Sequence, residues 1–570
     1  MPSTPWTRSY PANLQWDSEI AVGPVDRILD DSVARFPDRP AIDFMGRIFP
    51  YSEFGDLVAR AAKGLQALGV GPGVHVGLYL GNTPHYMISF FAVLKAGGVV
   101  VNYSPLDAEP VLAHKLADSQ TDLLITLDSP LLYPLMARLL ATTRLKTLVV
   151  GTVAEMAAHP EAVSRHLKAA GQLVDVAWGE NQVSFASLLD NDGAYQPHDI
   201  GDPTRALAVL QYTGGTTGLP KGAMLTHGNL TAANQQYWLT GVVGGADLKE
   251  GEERFLAVLP PFHIYALSVN LLLGVRLAAL LILHTRFEPA DILKDLAAKK
   301  VTVFPGVPTM YTAINHFPGV EAYDLRSLKF CGSGGAPLPR EVHQRFMELT
   351  GCSLVEGWGM TETSPSGTFS PVKAPQRVGS CGLPMPGLDI RLASLRDPNV
   401  YAAPGERGEM CVSGPNVMAG YWNKPEANAA AFNADGYLLT GDVATMDDDG
   451  YFSIVDRTKD MLLCGGFNVY PRTIEEAIYA HPAVAEVSVI GIPDEYRGQS
   501  PKAFIALKAG AAPMTLDEMK TFLRDRIGKH EMIAALEIRA SLPKTAVGKL
   551  SKKELVEEEA ARRSQLTRTA

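Results

Sequence analysis

From about Val25 to Val455 the chain repeats one pattern, an apolar run, a loop, then an amphipathic stretch at helical spacing. His75-Val76-Gly77-Leu78-Tyr79-Leu80 and Asp122-Leu123-Leu124-Ile125-Thr126 read as buried strands, and Tyr86 to Lys95 between them as a helix closed by Ala96-Gly97-Gly98. Thr302-Val303-Phe304, Leu328-Lys329-Phe330 and Ser353-Leu354-Val355 continue the theme. Few architectures accept such alternation. Parallel strands need long crossovers, usually helices, so layered α/β domains with parallel sheets are expected. A chain of 570 residues exceeds one core, so more than one domain is expected. The segment from Glu155 to Pro197 has weak periodicity and reads as helical decoration.

The pattern changes after about Arg457. Pro471 to Ala480 reads as a helix with proline in its first turn, and Ala485-Glu486-Val487-Ser488-Val489 as a half-exposed strand. Ala503 to Leu507 is a further strand, Leu516 to Ile527 an amphipathic helix, and Ala535 to Arg539 another strand. Together they make a small α+β unit of roughly 110 residues. The compact, charged junction Asp456-Arg457-Thr458-Lys459-Asp460 reads as a positioned hinge rather than a floppy linker. The expected division is therefore residues 1–456, a hinge at 457–460, and 461–570.

Hydrophobic residues at 46% and charged residues at 20% are ordinary for a soluble globular protein, and a net charge of −10 argues against non-specific nucleic-acid binding. Five scattered cysteines with no C-x-x-C pair disfavour zinc and disulfide frameworks and favour a reducing compartment. The N-terminus lacks a basic start and an apolar run, so no secretory leader is expected. Ala266 to Leu283 is apolar, but Asn270, Gly274 and Arg276 interrupt it. A central arginine costs about 2.5–3.5 kcal/mol on insertion scales, so a buried helix and strand is the expectation there.

Tyr212-Thr213-Gly214-Gly215-Thr216-Thr217-Gly218-Leu219-Pro220-Lys221-Gly222 packs four glycines, three threonines and a lysine behind the apolar run Leu207-Ala208-Val209-Leu210. Glycines let amides turn toward an anion, hydroxyls add donors, and lysine adds charge, so a phosphate loop is the leading reading over a plain surface turn. It is not G-x-x-x-x-G-K-[ST], since Pro220 precedes Lys221 and Gly222 follows it. Phe330-Cys331-Gly332-Ser333-Gly334-Gly335-Ala336-Pro337 offers small residues over which a flat ring can lie. Glu356-Gly357-Trp358-Gly359-Met360-Thr361-Glu362-Thr363 offers an aromatic plane, a hydroxyl and a carboxylate. A carboxylate beside phosphates makes most sense as a magnesium ligand, with a helix N-terminal carboxylate as the alternative for Glu362 and core packing as the alternative for Trp358. Asp442 in Thr440-Gly441-Asp442 could accept from ribose hydroxyls and Gly548 would let Lys549 reach out of a turn, although taken alone Asp442 reads as a turn residue and Lys549 as a solvated lysine beside Lys552 and Lys553.

Jointly, these motifs, with Asp456–Asp460 and Pro543–Lys549, resemble in order and spacing the adenylate-forming acyl-CoA synthetases, relatives of firefly luciferase and of peptide-synthetase adenylation domains. The resemblance runs from about Val25 to Leu550. It implies a large multi-layer N-terminal domain with parallel-type sheets and a small α+β C-terminal lid, with ATP, Mg2+ and coenzyme A as reaction partners. It implies that Thr213, Gly214, Gly215, Thr216, Thr217, Gly218 and Lys221 hold phosphates. Gly335, Ala336, Pro337, Glu356, Gly357 and Trp358 would line the adenine site. Most of the family has tyrosine where Trp358 stands. Thr361 would touch the α-phosphate, Glu362 would bind magnesium, and Asp442 and Arg457 would hold the ribose. Lys549 would bridge the acid and the α-phosphate, Lys459 would be the hinge, and Gly465, Gly466 and Phe467 would line the pantetheine path. Leu463 stands where luciferase-like relatives carry a lysine, which puts any second-step role of that lysine in doubt.

His263, Tyr265, Gly334, Gly359, Thr363 and Pro365 fall where the family lines its acyl pocket, the small residues leaving room for a chain. The local sequence offers no aspartate to pair with an amino acid's ammonium. A medium- or long-chain fatty acid is therefore expected, with aryl acids and pimelate-like dicarboxylates as runners-up. Arg276 and Arg286 are the cations that could meet a distal carboxylate. An acyl-AMP ligase that loads a stand-alone carrier protein is the alternative reaction. The expected setting is the cytoplasm, with peripheral membrane attachment and homodimer formation left open.

Overall fold

The computed structural model describes residues 4–213, 220–336, 338–374, 377, 379–464, 467–494, 496–545 and 550–569, with side chains omitted at 467–468 and 563–569. These residues fall into two compact units, one of residues 1–389 with 413–432, the other of 390–412 with 433–570.

Two seven-stranded sheets organise the first unit. Its strands are β1 (Pro40–Phe44), β2 (Arg47–Pro50), β3 (His75–Leu78), β4 (Val99–Asn102), β5 (Leu123–Leu127), β6 (Thr147–Gly151), β7 (Gln182–Ser184), β8 (Leu207–Thr213), β9 (Lys221–Thr226), β10 (Arg254–Ala257), β11 (Leu280–Leu283), β12 (Val303–Gly306), β13 (Phe330–Ser333) and β14 (Leu354–Glu356). One sheet runs β7-β6-β5-β3-β4-β8-β9 and the other β14-β13-β12-β10-β11-β1-β2. All pairings are parallel except the edge hairpins β8–β9 and β1–β2. The alternation of apolar runs and helices is thus realised as layered α/β structure. Val76, Leu78, Val100, Val101, Leu124 and Ile125 are fully buried, as strands covered on both faces require.

The helix Pro84–Lys95 is buried along its whole length, which explains why its sequence is apolar all round. Its terminal Lys95 keeps its charge by bonding Asp30 at 2.6 Å. On the second sheet, Tyr311 stacks edge-on between Phe304 and Phe346 at 5.3 and 4.9 Å, and its hydroxyl donates to the carbonyls of Phe304 and Gly332. Among the described residues no helix is long and apolar enough to cross a membrane. Ala266 to Leu283 folds as a π-helical stretch, Leu267–Leu273, a short turn and β11.

The expectation for Glu155 to Pro197 is corrected. Alongside helices it contains β7, paired in parallel with β6. Its three half-buried residues, Gln182, Val183 and Ser184, carry no apolar run to betray it. The strand expected at Leu328–Phe330 instead runs from Phe330 through Ser333, because the ladder to β12 extends into the small residues. A short ribbon, β15 (Thr368–Phe369) with β16 (Leu383–Pro384), completes the unit.

The second unit holds a four-stranded sheet of β17 (Asp389–Ala393), β18 (Gly408–Ser413), β19 (Leu438–Met446) and β20 (Phe452–Arg457). The expected boundary at 456–457 thus falls on the last residues of β20. A five-stranded sheet follows, of β21 (Leu462–Cys464), β22 (Phe467–Val469), β23 (Val484–Asp494), β24 (Gly498–Leu507) and β25 (Ala535–Arg539). Helices Pro471–Tyr479 and Leu516–Leu523 bury Ile474, Ile478, Met519 and Leu523 in a core with Val487, Val489 and Ile505. Phe504 and Ile490 form a separate cluster with Leu555 of the C-terminal helix Lys552–Thr569. All five cysteines are buried free thiols.

Candidate active site

The glycine-rich segment closes a hairpin. Thr213 at the end of β8 pairs directly with Lys221 at the start of β9, so the loop returns antiparallel rather than leading into a helix. Gly214, Gly215, Thr216, Thr217 and Gly218 lie outside the described residues. The strand end entering the loop is held by Asp118, which the sequence reading missed. The Tyr212 hydroxyl donates to Asp118 Oδ2 at 2.8 Å and Lys424 Nζ to Oδ1 at 2.6 Å. Burial, then the Asp118 carboxylate, keeps the Tyr212 phenol far above its ordinary pKa, so it stays a donor.

Gly335 and Ala336 follow β13, and Glu356, Gly357 and Trp358 follow or end β14, so neighbouring parallel strands bring both segments to one end of the sheet. The Leu338 amide donates to Glu356 Oε1 at 3.3 Å and ties them together. Pro337 is outside the described residues. Trp358 exchanges backbone bonds with Thr368, its amide donating to Thr368 Oγ1 at 3.0 Å and its carbonyl accepting from the Thr368 amide at 2.9 Å. A Cβ on Gly367 would lie 2.3 Å from the indole, so only glycine lets the ring sit there. A shallow open cleft lined by Leu338, Arg340, His343, Glu356 and Ser370 among others adjoins these segments.

Thr361, Glu362 and Thr363 form a 3₁₀ turn. Glu362 is buried, and its Oε1 accepts from the Tyr421 hydroxyl at 2.7 Å. Its other oxygen has no hydrogen-bond partner among the described residues. A buried carboxylate with one oxygen fixed and one available suits magnesium, which commonly takes one or two protein carboxylates and completes its shell with phosphates and water. Among the described residues no group of three or more His, Cys, Asp or Glu could hold a metal unaided. Lys221 Nζ lies 4.2 Å from the centroid of the same Tyr421 ring. No sequence motif flagged Tyr421, which lies 59 positions from Glu362.

In the expected acyl region, Tyr265 donates to the Gly332 carbonyl at 3.1 Å, and a Cβ on Gly334 would meet its ring at 3.1 Å. The space beside Gly334 is therefore filled by the Tyr265 ring rather than left open for a chain. Burial, then Cys331, raises the Tyr265 phenol above its ordinary pKa. His263 caps the following turn, its Nδ1 accepting from the Tyr265 amide at 3.3 Å. Gly359 packs against the carbonyl of Pro365, and Thr363 Oγ1 donates to the Met360 carbonyl at 3.1 Å. Arg276 donates to Asn234 Oδ1 at 3.1 Å and lies over Trp238, and desolvation pulls its pKa down to about 10. Arg286 is a surface residue facing Glu288.

In the second unit Asp442 and Arg457 are register partners on β19 and β20, and Arg457 Nε donates to Asp442 Oδ1 at 3.0 Å. The carboxylate is buried while the guanidinium is half exposed. Gly441, at φ +74°, donates from its amide to Glu409 Oε1 at 2.9 Å, and its carbonyl accepts from the Thr458 amide at 2.8 Å. Asp456 is buried and accepts from the amides of Arg457 and Arg472 at 2.7 and 2.9 Å. Burial pushes its carboxyl up to about 6, partly offset by Lys552. Lys459 is exposed in the turn after β20. Gly465, Gly466, the Phe467 side chain and Lys549 lie outside the described residues, although Lys544 and Leu550 on either side of 546–549 pair as an antiparallel bridge.

Two family models match, one described as AMP-binding enzyme over residues 29–422 and one as AMP-binding enzyme C-terminal domain over residues 473–549. A long-chain-fatty-acid–CoA ligase of Bacillus subtilis (strain 168) is 40% identical over 559 residues, covering 97% of this chain and 98% of that protein. A feruloyl-CoA synthase of an Amycolatopsis species is 37% identical over 522 residues, covering 91% of this chain and 96% of that protein. Among solved structures, ATP-bound MatB of Rhodopseudomonas palustris matches with a TM-score of 0.82 at 27% identity, covering 94% of this chain and 99% of that one.

Proposed function

The chain belongs to the AMP-binding enzyme family, and on that premise we propose that it is an ATP-dependent, AMP-forming acyl-CoA synthetase acting on a medium- or long-chain fatty acid. The observation that carries the reaction is the convergence, within one unit, of Lys221 at the base of the glycine hairpin with Glu362, a buried carboxylate keeping one oxygen available. The name and near full-length identity of the Bacillus relative support the fatty acid.

The acid's carboxylate attacks the α-phosphorus of ATP, forming acyl-AMP and releasing pyrophosphate. The thiol of coenzyme A then attacks the acyl carbonyl and AMP leaves. Both reactants of the first step are anions, so the barrier is electrostatic and positional. The acid is ionised at neutral pH and needs no general base. Thr213, Lys221 and the glycine loop hold the outer phosphates, Trp358 stacks the adenine, and Thr361 contacts the α-phosphate. Magnesium, bound at Glu362, would supply positive charge to the phosphates. Asp442, oriented by Arg457, accepts from ribose hydroxyls, and Lys549 carries the ammonium that meets the reacting carboxylate. Because the thiol needs the place the ammonium occupied, a lid of residues 461–570 turns about Lys459 between steps. Five buried free thiols support a cytoplasmic setting.

An aryl acid is the second reading. The feruloyl-CoA synthase relative and the Tyr265 ring beside Gly334, a flat wall against which an aromatic could pack, favour it. A pyrophosphate-release screen across fatty, aryl and dicarboxylic acids, with and without coenzyme A, tests both. Release with C8–C18 acids and a CoA thioester product is expected. Release without thioester would point to a carrier-protein acceptor, and no release with any acid would refute the proposal.

A further inference from the structure

Lys221 and Glu362 carry opposite charges at the same side chain, yet among the described residues they form no ion pair. Both meet Tyr421. Its hydroxyl donates to Glu362 Oε1 at 2.7 Å while the Lys221 ammonium lies 4.2 Å from its ring centroid. The backbone that carries the ring is tied down. Its own amide donates to Asn428 Oδ1 at 2.6 Å, the Asn428 amide returns a bond to its carbonyl at 3.0 Å, and the Trp422 amide donates to the Gly222 carbonyl at 2.8 Å. Residue 421 also bridges Ala223 of β9, so the same strand that carries Lys221 anchors the backbone from which the ring projects. Tyr421 and Glu362 are 8% and 7% exposed, a setting in which an ammonium and a carboxylate left to themselves would pair strongly.

We propose that Tyr421 is a positioning residue that separates and aims these two charges for the nucleotide. The inference rests on the adenylation reading of Lys221 and Glu362. One phenol does two things at once. Its O–H holds one carboxylate oxygen and turns the other outward, as partners behind a metal ligand do. Its π-face holds the ammonium by a cation–π contact, which a phosphate can readily displace, instead of by a salt bridge, which it could not. The site is thereby kept from neutralising itself before the nucleotide arrives.

The test is calorimetric binding of ATP, in EDTA and with Mg2+, to wild type, Tyr421→Phe and Tyr421→Leu, with thermal unfolding of each. Tyr421→Phe keeps the ring and loses the hydroxyl. Its ATP affinity in EDTA should stay within about twofold of wild type, while the gain on adding Mg2+ falls about tenfold or more. Tyr421→Leu removes the ring, so ATP affinity in EDTA should also fall, by about tenfold. Variants that bind like wild type, or that lose affinity equally with and without Mg2+ in step with lowered unfolding temperature, would overturn the proposal while leaving the adenylation reading intact. Wild type that binds no ATP, or binds it indifferently to Mg2+, would overturn both.

Discussion

Asp456 offers a perturbation whose size can be worked out. The carboxyl ordinarily titrates at 3.8 but is held near 6 here, chiefly by burial, against partial relief from Lys552 and the amides of Arg472 and Arg457. At about 1.36 kcal/mol per pKa unit, the difference is worth about 3 kcal/mol between its two protonation states. The sign follows from linkage. The folded unit binds this proton more tightly than the unfolded chain, so the group's contribution to stability is full below pH 4 and is lost as pH rises through about 6. Asp456→Asn cannot ionise and should escape that loss. The lost carboxylate contacts add an offset that does not depend on pH. The stability of the variant minus that of wild type should therefore climb by about 3 kcal/mol between pH 4 and 7 and then level. All six tryptophans belong to the first unit, so their fluorescence would miss the event. Hydrogen exchange of the β23–β24 amides, corrected for intrinsic rate, reads the correct unit. A difference that stays constant from pH 4 to 7 would refute the reasoning.

Replacing Lys549 by Ala should cut acyl-AMP formation about 10²–10³-fold, with far less effect on thioester formation from preformed acyl-AMP. Equal losses in both half-reactions would remove Lys549 from its role. Lys459→Pro, which restricts φ in the turn after β20, should slow thioester formation more than adenylation, and the reverse order would remove the hinge. Gly367→Ala would drive a methyl into the Trp358 indole at 2.3 Å. It should cost about 1–3 kcal/mol of stability and raise the KM for ATP about tenfold, as steady-state kinetics and tryptophan-monitored unfolding would show. An unchanged KM would separate Trp358 from the adenine.

Local signals were faithful where local forces decide. The buried strands at His75–Leu78 and Leu123–Leu127 and the helix Pro84–Lys95 come from apolar runs bounded by glycine or proline. The glycine hairpin announces itself through residue types that few other structures need at that density. What the chain did not disclose are partners supplied from far away. Asp118 reaches Tyr212 across 94 positions and Tyr421 reaches Glu362 across 59, and nothing in the sequence near Asp118 or Tyr421 marks it. Tyr265 was expected at the acyl pocket, and what the sequence did not disclose is its packing across Gly332 and Gly334, because filling that space depends on how β13 sits against the turn after His263. The second unit's claim on β17 to β20 was equally hidden, since strand periodicity says nothing about which core a sheet joins.

The buried thiols supply a built-in reporter of opening. Cys331, Cys352 and Cys381 belong to the first unit, Cys411 and Cys464 to the second, and none is exposed. An alkylating reagent can therefore reach each sulfur only when its own neighbourhood loosens, and mass spectrometry of the tagged peptides would time the breathing of either half without introducing a single foreign probe.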